Sequence, residues 1–175
     1  MKLVIINGAC GIGKSTTAKN LHDSLPLSYL VDVDEVGRKI SHYREYKKER
    51  WEIREAVAYA TVDAVLSLGY DVIAEKMIFR QEVLDTYREI GEKHGADIHE
   101  IILWASKEFV MERAHKRGWR EGGLLTPEKC EQFWHDIDEL KNKRPSAKVI
   151  DVTSMNEEQV LQSIQKNINK SITRL

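Results

Sequence analysis

The stretch Gly8-Ala9-Cys10-Gly11-Ile12-Gly13-Lys14-Ser15 follows the pattern G-x-x-x-x-G-K-[ST]. It stands between Lys2 to Asn7, a near-continuous β-branched run, and an amphipathic stretch from Lys14 to about Leu25 that Pro26 stops. A strand before and a helix after are the context this pattern requires, because much of its chemistry is done by the backbone. Glycines let the chain curl so that successive N–H groups face phosphate oxygens, and the helix beginning near Lys14 adds the positive end of its dipole. Gly8, Ala9, Cys10, Gly11, Ile12 and Gly13 are therefore expected to cradle phosphate. Lys14 is placed to reach β- and γ-phosphates, and the Ser15 hydroxyl to ligate Mg²⁺.

Outward from this stretch, short apolar runs alternate with long amphipathic ones, the pattern of βα units around a parallel sheet. Strands are expected at 2–7, 28–34, 70–75, 97–104 and 148–152. Helices are expected over 14–25, over 35–68 with a break near 41–46, over 81–94, from Ser106 to Arg117, from Pro127 onward, and from Asn156 to about Ile172. Ser106 reads as an N-cap, and Asn156 with Gln159 as a variant capping box. The chain has 175 residues, and at roughly 150 residues per domain this is one domain over 1–175.

The 27 Lys and Arg nearly balance the 28 Asp and Glu, for a net charge of -1. That weighs against a dedicated nucleic-acid protein, which usually carries a basic excess. No apolar run approaches the roughly 18 residues of a membrane helix, so a cytoplasmic protein without a membrane partner is expected. Cys10 and Cys130 form no CxxC motif and are expected as reduced thiols.

Asp32-Val33-Asp34 closes the second expected strand, where two-residue spacing would put both carboxylates on one face at the crevice side of the sheet. Phosphoryl transfer uses an acid near Mg²⁺ and another to orient an acceptor hydroxyl and take its proton. Capping of the helix from Glu35 is the competing explanation and accounts for at most one of the two. Glu75 ends the third strand, where a Walker B motif would carry Asp. It could act on Mg²⁺ through water, or pair with Lys76, so the main metal-side acid stays open between Glu75 and Asp32.

Arg113 and Arg117 are four residues apart and share a helix face, with Arg120 just beyond in the Gly-rich stretch Gly118 to Leu125. Planar guanidinium groups suit the charge that spreads over equatorial phosphoryl oxygens. A simpler explanation is the preference for cations at a helix C-terminus. Between Arg38 and Glu55, cations including Arg38 and Arg54 outnumber carboxylates and mix with Tyr43, Tyr46 and Trp51. Such a region would suit an anionic or sugar-like acceptor, although a solvated helix face explains most of its charges.

Gly8 to Thr17, together with Leu103-Trp104-Ala105-Ser106-Lys107-Glu108 leading to Arg113 and Arg117, resembles the small-molecule kinases of the P-loop superfamily. That group includes gluconate, shikimate and chloramphenicol kinases and, more distantly, adenylate kinase. The second segment is also similar to tunicamycin-resistance proteins. The resemblance implies an α/β, three-layer P-loop NTPase fold with a five-stranded parallel sheet of order 2-3-1-4-5 and helices on both faces. It implies ATP and Mg²⁺ as cofactors, Thr16 among the nucleotide contacts, a lid over about 113–125 and an acceptor region over about 35–60. In the lid it implies Arg113 on the nucleotide and Arg117 on the transferring phosphate. By likeness to the Asp-x-Asp of shikimate kinases, Asp32 belongs to the metal shell and Asp34 to the acceptor hydroxyl as base, with Arg38 and Arg54 beside the acceptor. The activity implied is transfer of the γ-phosphoryl group of ATP to a hydroxyl of a sugar acid, metabolite or antibiotic. The alternative is an ATP-binding resistance or regulatory protein that sequesters its ligand with little turnover.

Overall fold

A computed structural model of the chain describes residues 1–119 and 125–169. Five strands, β1 (Lys2–Gly8), β2 (Tyr29–Asp32), β3 (Val72–Glu75), β4 (Asp97–Trp104) and β5 (Lys148–Asp151), form one sheet in the order β2-β3-β1-β4-β5. Every pairing is parallel. The helices are α1 (Lys14–Ser24), α2 (Val33–Arg38), α3 (Lys47–Ser67), α4 (Gln81–Lys93), α5 (Lys107–Lys116), α6 (Pro127–Lys143) and α7 (Glu157–Asn169). Among the described residues no helix is long and apolar enough to cross a membrane.

The β-branched run of β1 reads continuously apolar because the strand is covered on both faces. Leu3, Val4, Ile5 and Ile6 are each at most 1% exposed. Alternation along the strand sends Val4 and Ile6 into one core with α1, α5, α6 and α7, and Leu3 and Ile5 into another with α3 and α4. Each such side chain contributes about 1.5–3 kcal/mol by leaving water. This double burial holds β1 at the centre and fixes where its C-terminal end, with the glycine-rich loop, emerges.

Local signals set most helix starts where the sequence places them. Ser106 accepts from the Phe109 N–H and Thr126 from the Lys129 N–H, each at 3.3 Å. Asn156 and Gln159 exchange hydrogen bonds of 2.9 Å as a capping box. The expected end of the last helix at Ile172 lies outside the described residues, as do Arg120 and most of the Gly118 to Leu125 stretch.

The second strand differs from expectation. It ends at Asp32, and Asp34 sits in the first turn of α2 instead of on the strand. The cause is the Asp32 carboxylate, whose Oδ1 accepts the Glu35 N–H at 2.9 Å and so turns the chain into a helix. The helical break expected near 41–46 spans 39–46, with His42 at a left-handed φ of 53°.

Candidate active site

The loop between β1 and α1 is shaped by contacts that only glycine permits. A Cβ on Gly8 would lie 2.6 Å from the Leu103 carbonyl oxygen of β4. Gly13 has a φ of 103°, a conformation strained for other residues, and a Cβ there would meet nothing within 4 Å. The first glycine therefore serves packing, and the second leaves open space beside the N-terminus of α1. Asn7, 1% exposed, braces the loop from beneath. Its Nδ2 donates to the Ile78 carbonyl at 2.9 Å, while its Oδ1 accepts from the Gly8 and Ile78 N–H groups at 2.7 and 2.8 Å.

At the mouth of the loop Lys14 Nζ donates to the Ala9 carbonyl at 2.9 Å. Burial pushes the Lys14 ammonium below its ordinary value, opposed by Glu75 and Asp34. The Ser15 hydroxyl donates to Glu75 Oε1 at 2.7 Å. Glu75, 5% exposed, is raised by burial, with Lys14 and Ser15 opposing. Thr16 follows, half-buried, on the first turn of α1.

The three acids separate by role. Asp32 lies beside Glu75 in the register of β2 against β3, and one of its oxygens caps α2. Asp34 is exposed, and its Oδ1 accepts from Arg54 Nη1 at 3.3 Å. Both acids raise Glu75 further, so all three fields converge on the loop. Among the described residues no group of three or more His, Cys, Asp or Glu could itself hold a metal. Mg²⁺ is commonly bound by one or two carboxylates together with substrate phosphates, so Ser15 beside Glu75 is a fitting partial set.

Arg54 lies in the wall of the site. Its Nε and Nη2 donate to Glu55 Oε1 at 3.2 and 3.1 Å, and the same oxygen accepts from Lys76. Lys76 thus pairs with Glu55 of α3 and not with its neighbour Glu75. Among the described residues, Arg50 Nε, Glu55 Oε2 and Tyr87 OH are buried without a hydrogen-bond partner. Arg38 is exposed and donates to Glu35 at 2.7 Å. Arg113 lies over the Phe109 ring at 5.5 Å, and its Cβ would be 3.8 Å from a Cβ on Gly11, so α5 abuts the loop. Arg117 caps the C-terminus of α5, and its charge acts on Lys14. A separate groove of about 410 Å³ between β2, α2 and α3 meets this cluster only at Asp32.

Burial pushes the Lys76 ammonium down to about 8 from an ordinary 10.5, outweighing its pairing with Glu55. Between these values the unfolded chain holds the proton that the folded chain has lost, so the stability contributed by Lys76 rises with pH across that window. Urea midpoints of the native protein are expected to rise relative to those of Lys76→Met between about pH 8 and pH 10. Parallel pH profiles would contradict this.

Asn7, Glu55 and Lys76 carry no motif of their own. Asn7 was detectable only as a polar residue closing an apolar strand, and Glu55 and Lys76 lie among many charged residues that are merely solvated.

A phosphate loop on the central strand of a parallel 2-3-1-4-5 sheet defines the fold of the P-loop small-molecule kinases. The chain belongs to the AAA domain family, whose sequence model matches residues 3–132. A gluconokinase structure from Sinorhizobium meliloti superposes with a TM-score of 0.70 at 14% identity, covering 97% of this chain and 92% of that one. Shikimate kinase from Acinetobacter baumannii, in complex with shikimate, gives 0.67 at 20% identity, with 99% and 96% covered. The tunicamycin resistance protein of Deinococcus radiodurans gives 0.66 at 18% identity, with 97% and 96% covered. At these identities the likeness is one of fold. No curated protein sequence matches this one.

Proposed function

We propose that this protein is an ATP-dependent kinase that moves the γ-phosphoryl group of Mg-ATP to a hydroxyl of a small molecule such as a sugar acid, metabolite or antibiotic. The observation that carries the reading is the convergence of Lys14, Ser15, Glu75 and Asp34 at the open side of the loop. The loop amides from Gly8 to Gly13 hold the phosphates, with Thr16 behind them. Lys14 exchanges the Ala9 carbonyl for the β- and γ-phosphates, a short movement of a long side chain. Ser15 and Glu75 orient the metal side of the phosphates, with Asp32 reaching them through water. Bound Mg²⁺ would supply charge neutralisation across the β- and γ-oxygens.

Asp34 is the acid free to meet an acceptor, since it is exposed and, among the described residues, hydrogen-bonded only to Arg54. It orients the acceptor hydroxyl and takes its proton as base. Arg54 and, further out, Arg38 flank the acceptor, and their guanidinium groups favour a hydroxyl-rich or anionic molecule. Arg117 stabilises charge on the transferring group and Arg113 contacts the nucleotide. Most of the acceleration then comes from positioning and electrostatics.

A coupled assay of ADP release with Mg-ATP and a panel of sugar acids, nucleosides and antibiotics tests this reading. Release that depends on one acceptor class is the expected result. If ATP raises the melting temperature but no acceptor stimulates release, a protein that sequesters its ligand with little turnover replaces the kinase reading.

A further inference from the structure

Cys10 lies within the phosphate loop and Cys130 in the first turn of α6, 120 residues later, yet their sulfur atoms are 2.7 Å apart. Both are free thiols. Cys130 is fully buried, and its N–H donates to the Thr126 carbonyl at 2.9 Å, so it is a fixed anchor. Cys10 is only half-buried and stands next to the Ala9 carbonyl that holds Lys14. A disulfide has a sulfur separation of about 2.05 Å, so joining the two needs less than one ångström of closure.

We propose that Cys10 and Cys130 are a redox modification site, in which a peroxide joins them and thereby ties the phosphate loop to α6 and weakens nucleotide binding. Cys10, the accessible sulfur, attacks the peroxide oxygen as a thiolate, breaking the O–O bond and releasing hydroxide, and becomes a sulfenic acid. The sulfur of Cys130 then attacks the Cys10 sulfur, and the sulfenic oxygen leaves as water with the Cys130 proton. Overall, two thiols and one hydrogen peroxide give one disulfide and two waters. Burial and the contact with Cys10 push the Cys130 thiol up to about 12, so it does not react with peroxide first; its place against Cys10 lets it resolve the sulfenic acid, giving up its proton to the departing oxygen as it attacks.

The consequence for binding follows from where the tie falls. Cys10 is flanked by Ala9, whose carbonyl holds Lys14, and by Gly11, where a Cβ would lie 3.6 Å from the Ala114 nitrogen of α5. In the proposed switch, phosphate entry draws Lys14 off the Ala9 carbonyl and shifts the backbone beside Cys10. A covalent link from Cys10 to an anchored helix resists that adjustment on one side, while α5 limits it on the other.

The switch rests on the proposed nucleotide site, whereas the bridge itself does not. The full-length protein is treated with equimolar hydrogen peroxide and digested without reduction for peptide mass spectrometry. Mg-ATP affinity is measured by calorimetry before oxidation, after it, and after dithiothreitol. A linked pair of peptides containing Cys10 and Cys130 is expected, with at least a tenfold loss of affinity that dithiothreitol restores. The bridged protein is also expected to melt at a higher temperature, because closing a loop of 120 residues restricts the unfolded chain. Cys130→Ala should bind Mg-ATP normally and ignore peroxide; if that variant does not fold, oxidised against re-reduced native protein carries the comparison. Absence of the linked peptides overturns the proposal, and linked peptides with unchanged affinity overturn the switch. Reduced protein that binds no ATP would refute the kinase reading and the switch together, while the linked peptides would still establish the bridge.

Discussion

Replacing Lys14 with alanine is expected to lower kcat/KM for Mg-ATP by about 100- to 1,000-fold, the loss typical of removing one preorganised donor from a site of developing charge. The fold should survive the change. Burial already holds the Lys14 ammonium below its ordinary value, so the charged group costs folding stability at neutral pH instead of supplying it. Its hydrogen bond to the Ala9 carbonyl offsets part of that cost. Thermal unfolding of the variant is therefore expected within a few degrees of the native protein, or above it. Activity lost with stability kept is the signature of a group retained for function. Normal kinetics would remove Lys14, and with it the loop, from the chemistry.

Asp34→Asn is expected to reduce kcat by about 100- to 10,000-fold, the range for loss of a positioned general base, while nucleotide affinity changes by no more than about twofold. Asparagine keeps the shape and an oxygen that can still accept from Arg54, so the wall formed by Arg54, Glu55 and Lys76 has no reason to collapse. What it lacks is the capacity to take the acceptor proton. Calorimetry of ATP binding alongside turnover with a working acceptor separates the two quantities. Equal losses in both would place Asp34 on the nucleotide side and leave the base unassigned.

The parts of the molecule legible in the sequence are those encoded locally. A β-branched run followed by a glycine-rich loop and a helix is written within Lys2 to Leu25, and the capping pair Asn156 and Gln159 within four residues. Strand order is different: nothing in the periodicity says that β1 sits between β3 and β4, and that arrangement came through resemblance. The Asp32-Val33-Asp34 boundary was misplaced because aspartate both ends strands and caps helices. The cap at Asp32 moved Asp34 into α2. Contacts between distant segments were not legible at all. Ser15 meets Glu75 across 60 residues, and Lys76 finds Glu55 across 21, and no local pattern encodes either pairing. The pairing of Cys10 with Cys130 is of the same kind.

The most direct test follows the γ-phosphoryl group itself. Native protein and Lys14→Ala are incubated with Mg²⁺, γ-labelled ATP and a small-molecule fraction of cell extract, and the labelled products are separated. The kinase reading predicts a new phosphorylated small molecule, formed by the native protein and at least about 100-fold more slowly by Lys14→Ala. Label that stays in ATP, or passes only to inorganic phosphate, would contradict it.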